Sequence, residues 1–356
     1  MTVAKRSPAD ETSAPGLDVS ALAPSLATAV GGLGGALHAQ PLAGGRSNPT
    51  YVVTDGVREW ILRRPPYGLV LQSAHDMSRE VRVVTALRDS AVPVPDVVLA
   101  DMAGDLLGVP CYVMDRLVGR IVARPEDAHA LDPAQRRRLG EAMADTLATL
   151  HSVDAAAVGL ADWGNPDGFL DRQLRLWRRQ WAAAHTVERP EVDELLDLLA
   201  ATRPPTRRSG ILHGDFKLDN VMVDTTDPGT VVGVLDWEMS TRGDTLADVG
   251  VLLSFWDEPG EAQHPLVAGL TALPGFPSRA ELLERYTRRS GADVADVDWY
   301  VVLADVKIAI ILEQIHTRRS LGHASGDASE DVGAMVGQLL ARAHELASRL
   351  PRPTRS

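Results

Sequence analysis

The chain has 356 residues, room for two or three domains, and 45% of them are hydrophobic, enough for a large core. A formal net charge of -12 with a pI near 5.3 excludes a general nucleic-acid binder, which needs a basic face, but leaves room for a local basic pocket. Cys111 is the single cysteine, so an intramolecular disulfide and a cysteine-rich zinc site are excluded, and a reducing cytoplasmic setting is expected.

Residues 1–16 are rich in Ser, Ala, Pro and charge and read as disordered. They hold basic residues without an apolar run behind them, so no secretory signal is expected. Leu17–Val30 predicts a short helix, with Asp18 near its start and Pro24 limiting it, and the GGLGG run at 31–35 ends it. This stretch, 1–30, is expected to be an N-terminal tail.

From Ala36 the period changes. Three antiparallel strands are expected through Arg64, with Gly44–Asn48 as the first turn and Asp55-Gly56 as the second. Asp-Gly between apolar runs is a strong hairpin signal. A helix follows at 78–90 with Val81, Val84 and Leu87 on one face, then strands at 92–101 and 108–117. Residues 31–118 therefore read as one β-β-β-α-β-β lobe.

Residues 119–356 read as mainly helical. Asp132-Pro133 opens a helix bearing Leu139, Met143, Leu147 and Leu150. The next places Leu170, Leu174, Trp177 and Trp181 on one stripe, which marks both tryptophans as core. A third spans 191–202. Helices dominate again from Leu246. Val297–Ile315 is the most apolar long stretch, but Asp298, Asp305, Lys307 and Glu313 exclude a membrane span and predict a buried helix. No membrane partner is expected. Residues 321–329 read as a loop.

Between the helices lies Ile211–Gly250, which holds seven aspartates flanked by short apolar runs. Ile211–Leu212, Val221–Val223 and Val231–Leu235 read as buried strands, each with a polar group at or near an end. Asp215, Asn220 and Asp236 form a set suited to phosphoryl transfer. That chemistry needs one group to orient or deprotonate an acceptor hydroxyl, oxygen ligands for Mg²⁺, and cations for the phosphates. Asp215 fits the base, Asn220 and Asp236 the metal ligands, and Lys217 the phosphoryl contact. The five-residue step from Asp215 to Asn220 matches the separation in the protein-kinase catalytic loop.

HGDFKLDN followed by LDWE resembles the catalytic segment of the aminoglycoside phosphotransferase family, small-molecule relatives of protein kinases. GGRSNPTYVV, WILRRPP, SREVRVVTAL, VPVPDVV, GVPCYVMDRLVGR, LATLHSVD and GDTLADVG occur in that family's order, so the resemblance covers roughly residues 30–320. It is closest to the branch with kinase domains fused to acyl-CoA dehydrogenases.

The resemblance implies an α+β, bilobal protein-kinase-like fold: a small five-stranded antiparallel β lobe with one main helix, and a larger, mainly helical lobe. It implies an ATP- and Mg²⁺-dependent transfer to a small-molecule hydroxyl, in a monomer or homodimer. Arg63 stands at the strand-lysine position that pairs with ATP phosphates, and Glu80 becomes its ion-pair partner. Met114–Leu117, with Asp115 and Leu117, becomes the adenine-reading hinge. Gly44–Asn48, with Gly45, Ser47 and Asn48, becomes the loop over the phosphates. Asp248 braces the catalytic loop and His213 orients Asp215. Trp237-Glu238 replaces Phe-Gly after the metal aspartate, and Glu238 is carried as a substrate-side candidate.

The absence of G-x-G-x-x-G at 44–48 and of an Ala-Pro-Glu activation segment argues against a protein kinase. A catalytically silent nucleotide-binding pseudokinase is the alternative, although every catalytic position is filled. Arg172, Arg175 and Arg179 share a helix face, either as a clamp for an anionic tail such as coenzyme A or as a solvated face. Asp219 and Asp224 read as loop charges, Asp244 as a cap for the helix after Thr245, Cys111 as core, and Arg136–Arg138 as an exposed basic stretch. The acceptor stays open between a hydroxyacyl-CoA or hydroxy acid and an aminoglycoside-like compound.

Overall fold

Hydrophobic alternation and turn chemistry produce the smaller of two compact units in the computed structural model, which describes residues 17–42, 48–65, 77–184, 187–320 and 332–351. This unit takes the chain up to Val118 together with Gly233–Glu238. Strands β1 (His38–Pro41), β2 (Thr50–Thr54), β3 (Glu59–Arg63), β4 (Val97–Asp101) and β5 (Cys111–Asp115) form one antiparallel sheet in the order β1-β2-β3-β5-β4. Asp55-Gly56 closes the β2–β3 hairpin. Gly56 adopts φ 85°, and the Asp55 carboxylate accepts the N–H groups of Val57 at 2.9 Å and Arg58 at 2.7 Å.

The pleat sends successive side chains to opposite faces of this sheet. Trp60, Leu62, Cys111 and Val113 share one core cluster with Leu17, Val19, Leu22 and Leu26. The last four come from a 3₁₀ turn at Val19–Leu22, its flank, and helix α1 (Ala23–Val30). The short helix expected within Leu17–Val30 is present as α1. Its apolar side chains cover a full sheet face, and Leu22 and Leu26 are completely buried. Pro24 sits in the first turn of α1, where its missing N–H costs nothing. The opposite face carries Ile61, Tyr112 and Met114 against Met77 of α2 (Met77–Leu87). On α2, Glu80 and Val83 are buried, whereas Val81 is only partly so.

The larger unit takes Gly119–Val232 and Met239 onward. Its elements are β6 (Arg120–Ile121), α3 (Pro125–His129), α4 (Pro133–Ser152), α5 (Phe169–Ala184), α6 (Pro190–Ala201), β7 (Ser209–Leu212), β8 (Val221–Val223), β10 (Thr241–Asp244), α7 (Leu246–Ser254), α8 (Arg279–Ser290), α9 (Val297–Ser320) and α10 (Val332–Ala347). β9 (Val231–Val234) joins a small sheet in the order β6-β8-β9, and β7 pairs antiparallel with β10. Asp132 and Gln135 form a capping box at the start of α4. Trp177 and Trp181 are core residues, as their stripe predicts.

α9 is buried along most of Trp299–Leu312. Among the described residues, no helix is long and apolar enough to cross a membrane. α7 and α9 approach closely because Gly250 has no side chain: a Cβ there would lie 2.5 Å from the Tyr300 carbonyl oxygen. The expectation of an exposed basic stretch at 136–138 is corrected at its first residue. Arg136 is buried and donates to the carbonyls of Ala128 at 2.9 Å and Pro274 at 2.8 Å. Arg137 and Arg138 are exposed and ion-paired, to Glu141 and Glu281 and to Asp227.

Candidate active site

The candidate side chains converge in two sets, one in each unit. In the smaller unit the strand period decides the geometry. Arg63 follows Ile61 by two residues and so faces α2, where Glu80 lies three residues after Met77 on the buried side. Arg63 donates through Nη1 to Glu80 and lies 3.4 Å from Asp236 through Nη2. Burial opposes the Arg63 charge, yet Tyr112, Glu80, Asp236 and Glu238 around it hold its pKa above the ordinary arginine value. Burial pushes the Glu80 carboxyl up, and Arg63 opposes that shift.

Asp236 reaches this set because residues 233–238 are anchored on the smaller unit. The Val234 N–H donates to the Pro93 carbonyl at 2.8 Å. Gly233 packs so closely on Leu117 that a Cβ would lie 2.2 Å from its side chain. Buried Trp237 donates through Nε1 to the Val234 carbonyl at 2.9 Å. Asp236 itself adopts φ 65°, a left-handed conformation that aspartate tolerates better than most residues. Its carboxylate remains 37% exposed. Asn48 is buried and donates to Glu238 at 3.3 Å, which makes Asn48 a support for Glu238. Gly45 and Ser47 lie outside the described residues. At Asp115, expected in the hinge, the N–H is taken by the Asp96 carbonyl at 2.9 Å.

In the larger unit, β7 ends at Leu212 and delivers His213-Gly214-Asp215. The fully buried Asp248 accepts the N–H groups of His213 at 2.7 Å and Gly214 at 2.8 Å, and its Oδ2 lies 3.3 Å from His151 Nε2. Burial alone would raise its carboxyl. The bond and charge of His151, the charge of His213 and the Gly214 N–H outweigh burial and hold it below the usual range. Gly214 sits at φ 86°, with no room for a Cβ, which would fall 2.4 Å from the Met239 carbonyl oxygen.

The Asp215 N–H donates to His213 Nδ1 at 3.2 Å. Its carboxylate takes Lys217 Nζ at 2.7 Å and Asn220 Nδ2 at 3.0 Å. Asn220 Nδ2 also donates to the Asp215 carbonyl at 2.8 Å. This orientation leaves the Asn220 carbonyl oxygen, the atom a hard cation takes. Lys217 Nζ stands 5.0 Å above the Phe255 ring.

Other candidates resolve locally. Asp244 accepts the Leu246 N–H at 3.1 Å and the Tyr300 hydroxyl at 2.7 Å, so it does serve the start of α7. Asp224 accepts the N–H groups of Thr226 and Asp227 in the turn after β8. Arg172 donates to the carbonyls of Asn165 and Asp167, which commits its guanidinium to a loop, while Arg175 and Arg179 are exposed. Cys111 is core.

Three residues escaped sequence reasoning. Tyr112 is the cross-strand partner of Arg63, a relation set by register. His151 lies inside LATLHSVD but receives its role only through Asp248 and the Tyr286 hydroxyl, 2.8 Å away. Lys307, noted only as a charge in an apolar run, donates through Nζ to the Gly214 carbonyl. Burial lowers its pKa and Lys217 adds to that effect, while Asp215 and Asp248 oppose it.

Among the described residues, no three His, Cys, Asp or Glu side chains cluster as a metal cage. The donors present are a carboxylate and an amide oxygen. The carboxylate, Asp236, belongs to the smaller unit and the amide oxygen, Asn220, to the larger; each is an oxygen donor of the kind Mg²⁺ uses, one or two at a time.

A buried Arg–Glu pair on an antiparallel sheet and an Asp-Lys-Asn cluster after a short strand are the parts of a kinase-like phosphotransferase. The chain belongs to the phosphotransferase enzyme family, whose profile matches residues 38–299. A curated relative, acyl-CoA dehydrogenase family member 11 of Gallus gallus, is 34% identical over 325 residues, covering 89% of this chain and 41% of the relative. The chain thus spans about two fifths of that relative's length. A crystal structure of a Ralstonia eutropha protein assigned to the aminoglycoside phosphotransferases matches with a TM-score of 0.80 at 30% identity, over 94% of this chain and 100% of that one. An aminoglycoside phosphotransferase solved with ADP and hygromycin B shares the fold at a TM-score of 0.60 and 16% identity, over 92% of this chain and 98% of that one. The fold class expected from the sequence, α+β and protein-kinase-like, stands.

Proposed function

We propose that the chain is an ATP-dependent small-molecule kinase whose acceptor is the hydroxyl of a hydroxyacyl-CoA. The observation that carries the kinase reading is the Asp215 carboxylate, held by Lys217 and Asn220 and partly exposed. Asp215 accepts the acceptor's proton as its oxygen bonds to the γ-phosphorus, the bond from that phosphorus to the bridging oxygen breaks, and ADP leaves with the electron pair. Lys217 and Arg63 offset the charge on the phosphoryl oxygens. Asn220 and Asp236 would hold Mg²⁺, which supplies charge neutralisation at the phosphates when bound. Most of the acceleration in such a site comes from positioning and electrostatics.

The acceptor class rests on the acyl-CoA dehydrogenase relatives, which match along most of this chain. The exposed Arg175 and Arg179 are consistent with an anionic coenzyme tail. The test is radiolabelled phosphoryl transfer from ATP to a panel of hydroxyacyl-CoAs, free hydroxy acids and aminoglycosides. Label should appear on the hydroxyacyl-CoAs. Asp215→Asn should lower turnover about 10³-fold and still bind a Mg-ATP analogue. Label on aminoglycosides alone would replace the acceptor. Full activity in Asp215→Asn would remove the mechanism.

A further inference from the structure

Lys307 is a charged residue in the apolar middle of α9, and the chemistry described above does not use it. Its position is nonetheless specific. The peptide unit joining Gly214 to Asp215 has two polar ends. The Asp215 N–H is held by His213 Nδ1 at 3.2 Å. The Gly214 carbonyl is held by Lys307 Nζ. The preceding peptide is held in turn by Asp248, which takes the Gly214 N–H at 2.8 Å.

A peptide unit is planar, so fixing both ends fixes the plane. The direction of the Asp215 side chain then follows from that plane and the residue's own φ. Lys307 Nζ also lies over the Trp177 ring, 5.9 Å from its centroid. Its reach depends on the close α7–α9 approach at Gly250 and Tyr300. Tyr300 and Lys307 are two turns apart and share a face of α9. A methionine would fill the same volume and leave the Gly214 carbonyl unpaired.

We infer that Lys307 is a positioning residue for phosphoryl transfer, holding the Gly214 carbonyl so that the Asp215 carboxylate keeps its catalytic orientation. This rests on the kinase reading of Asp215 given above. The experiment compares wild type, Lys307→Met, Lys307→Leu and Lys307→Arg by steady-state kinetics, thermal melting and amide hydrogen exchange. Lys307→Met should lower kcat about 10²-fold and leave the KM for ATP within about twofold, since Lys307 lies outside the Arg63–Glu80 set. Lys307→Arg, which retains a donor for the carbonyl, should recover a tenfold or greater part of that loss. Exchange should rise in Lys307→Met at residues 213–216 and stay unchanged in the β sheet of the smaller unit. If Lys307→Met fails to fold, Lys307→Leu, which also lacks a donor, is read in its place. Unchanged kcat in a folded Met or Leu variant overturns the inference, as does equal loss in the Arg variant with unaltered exchange. If the wild-type chain phosphorylates no acceptor, the kinase reading fails. The exchange comparison then still decides Lys307, and unchanged protection at 213–216 overturns its role.

Discussion

Arg63 and Tyr112 stand directly opposite each other on β3 and β5, and both face Glu80 on α2. Two side chains from two separate segments therefore flank the Arg63 guanidinium, and Asp236 adds a third. Buried charge persists only when it is paired and hydrogen-bonded. The Arg63 guanidinium is thereby set among carboxylates from α2 and from residues 233–238.

Arg63 is accordingly the residue whose replacement should separate nucleotide binding from chemistry. Arg63→Lys keeps a charge but loses the fork that grips two oxygens. The expected outcome is a KM for ATP raised about tenfold with a smaller change in kcat. Arg63→Met should lower kcat/KM more than 10²-fold, and it leaves Glu80 buried without its cation, at a cost of about 3–5 kcal/mol in stability. Adding Glu80→Gln to Arg63→Met should restore part of the stability and none of the activity. Steady-state kinetics and urea unfolding of the three variants check this.

The helix before the first strand should behave as core. Leu26 is completely buried in the cluster that includes Val53, Leu62 and Val113. Leu26→Ala should cost about 2–5 kcal/mol, the usual range for truncating a buried leucine. A disordered appendage would tolerate the change with no shift in melting temperature, so a melting curve distinguishes the two.

Stability should respond to pH through two buried groups of opposite sign. Asp305 is pushed up by burial to about 6, and His264 is pushed down by burial to about 3. Asp305 keeps its proton in the folded state at pH values where the unfolded chain has released it. Its contribution is present below about pH 4 and falls by roughly 3 kcal/mol as pH rises to about 6. His264 stays neutral when folded while the unfolded chain takes a proton. Its contribution is lost below pH 3 and rises by roughly 5 kcal/mol toward pH 6.5. These two slopes oppose each other. Asp305→Asn should therefore make stability rise steeply between pH 4 and 6, and His264→Gln should make it fall. Urea unfolding across that window measures both slopes, and parallel curves for all three proteins would rule out the assignment.

Much of this was legible in the linear chain because the relevant signals are local. Asp55-Gly56 closes a hairpin through its own backbone and carboxylate. Asp132-Pro133 starts α4, and the Leu170–Trp181 stripe is core. The five-residue step from Asp215 to Asn220 brings the Asn220 amide onto the aspartate through one short 3₁₀ turn, Leu218–Asn220. Arg136 shows where local reading fails. Its neighbours 137 and 138 are exposed, and only the carbonyls of Ala128 and Pro274 explain its burial.

By itself, the sequence determined the period of each element, the turns between them, and the spacing of Asp215, Lys217 and Asn220. These depend on interactions within a few residues, where composition and periodicity carry the physics. Tertiary structure alone decided that α1 covers a sheet face, that Tyr112 borders Arg63, and that Lys307 holds the Gly214 carbonyl. Each of those contacts joins residues far apart in the chain, through strand register or the close approach of α7 and α9. No short window of sequence encodes a distance of that kind.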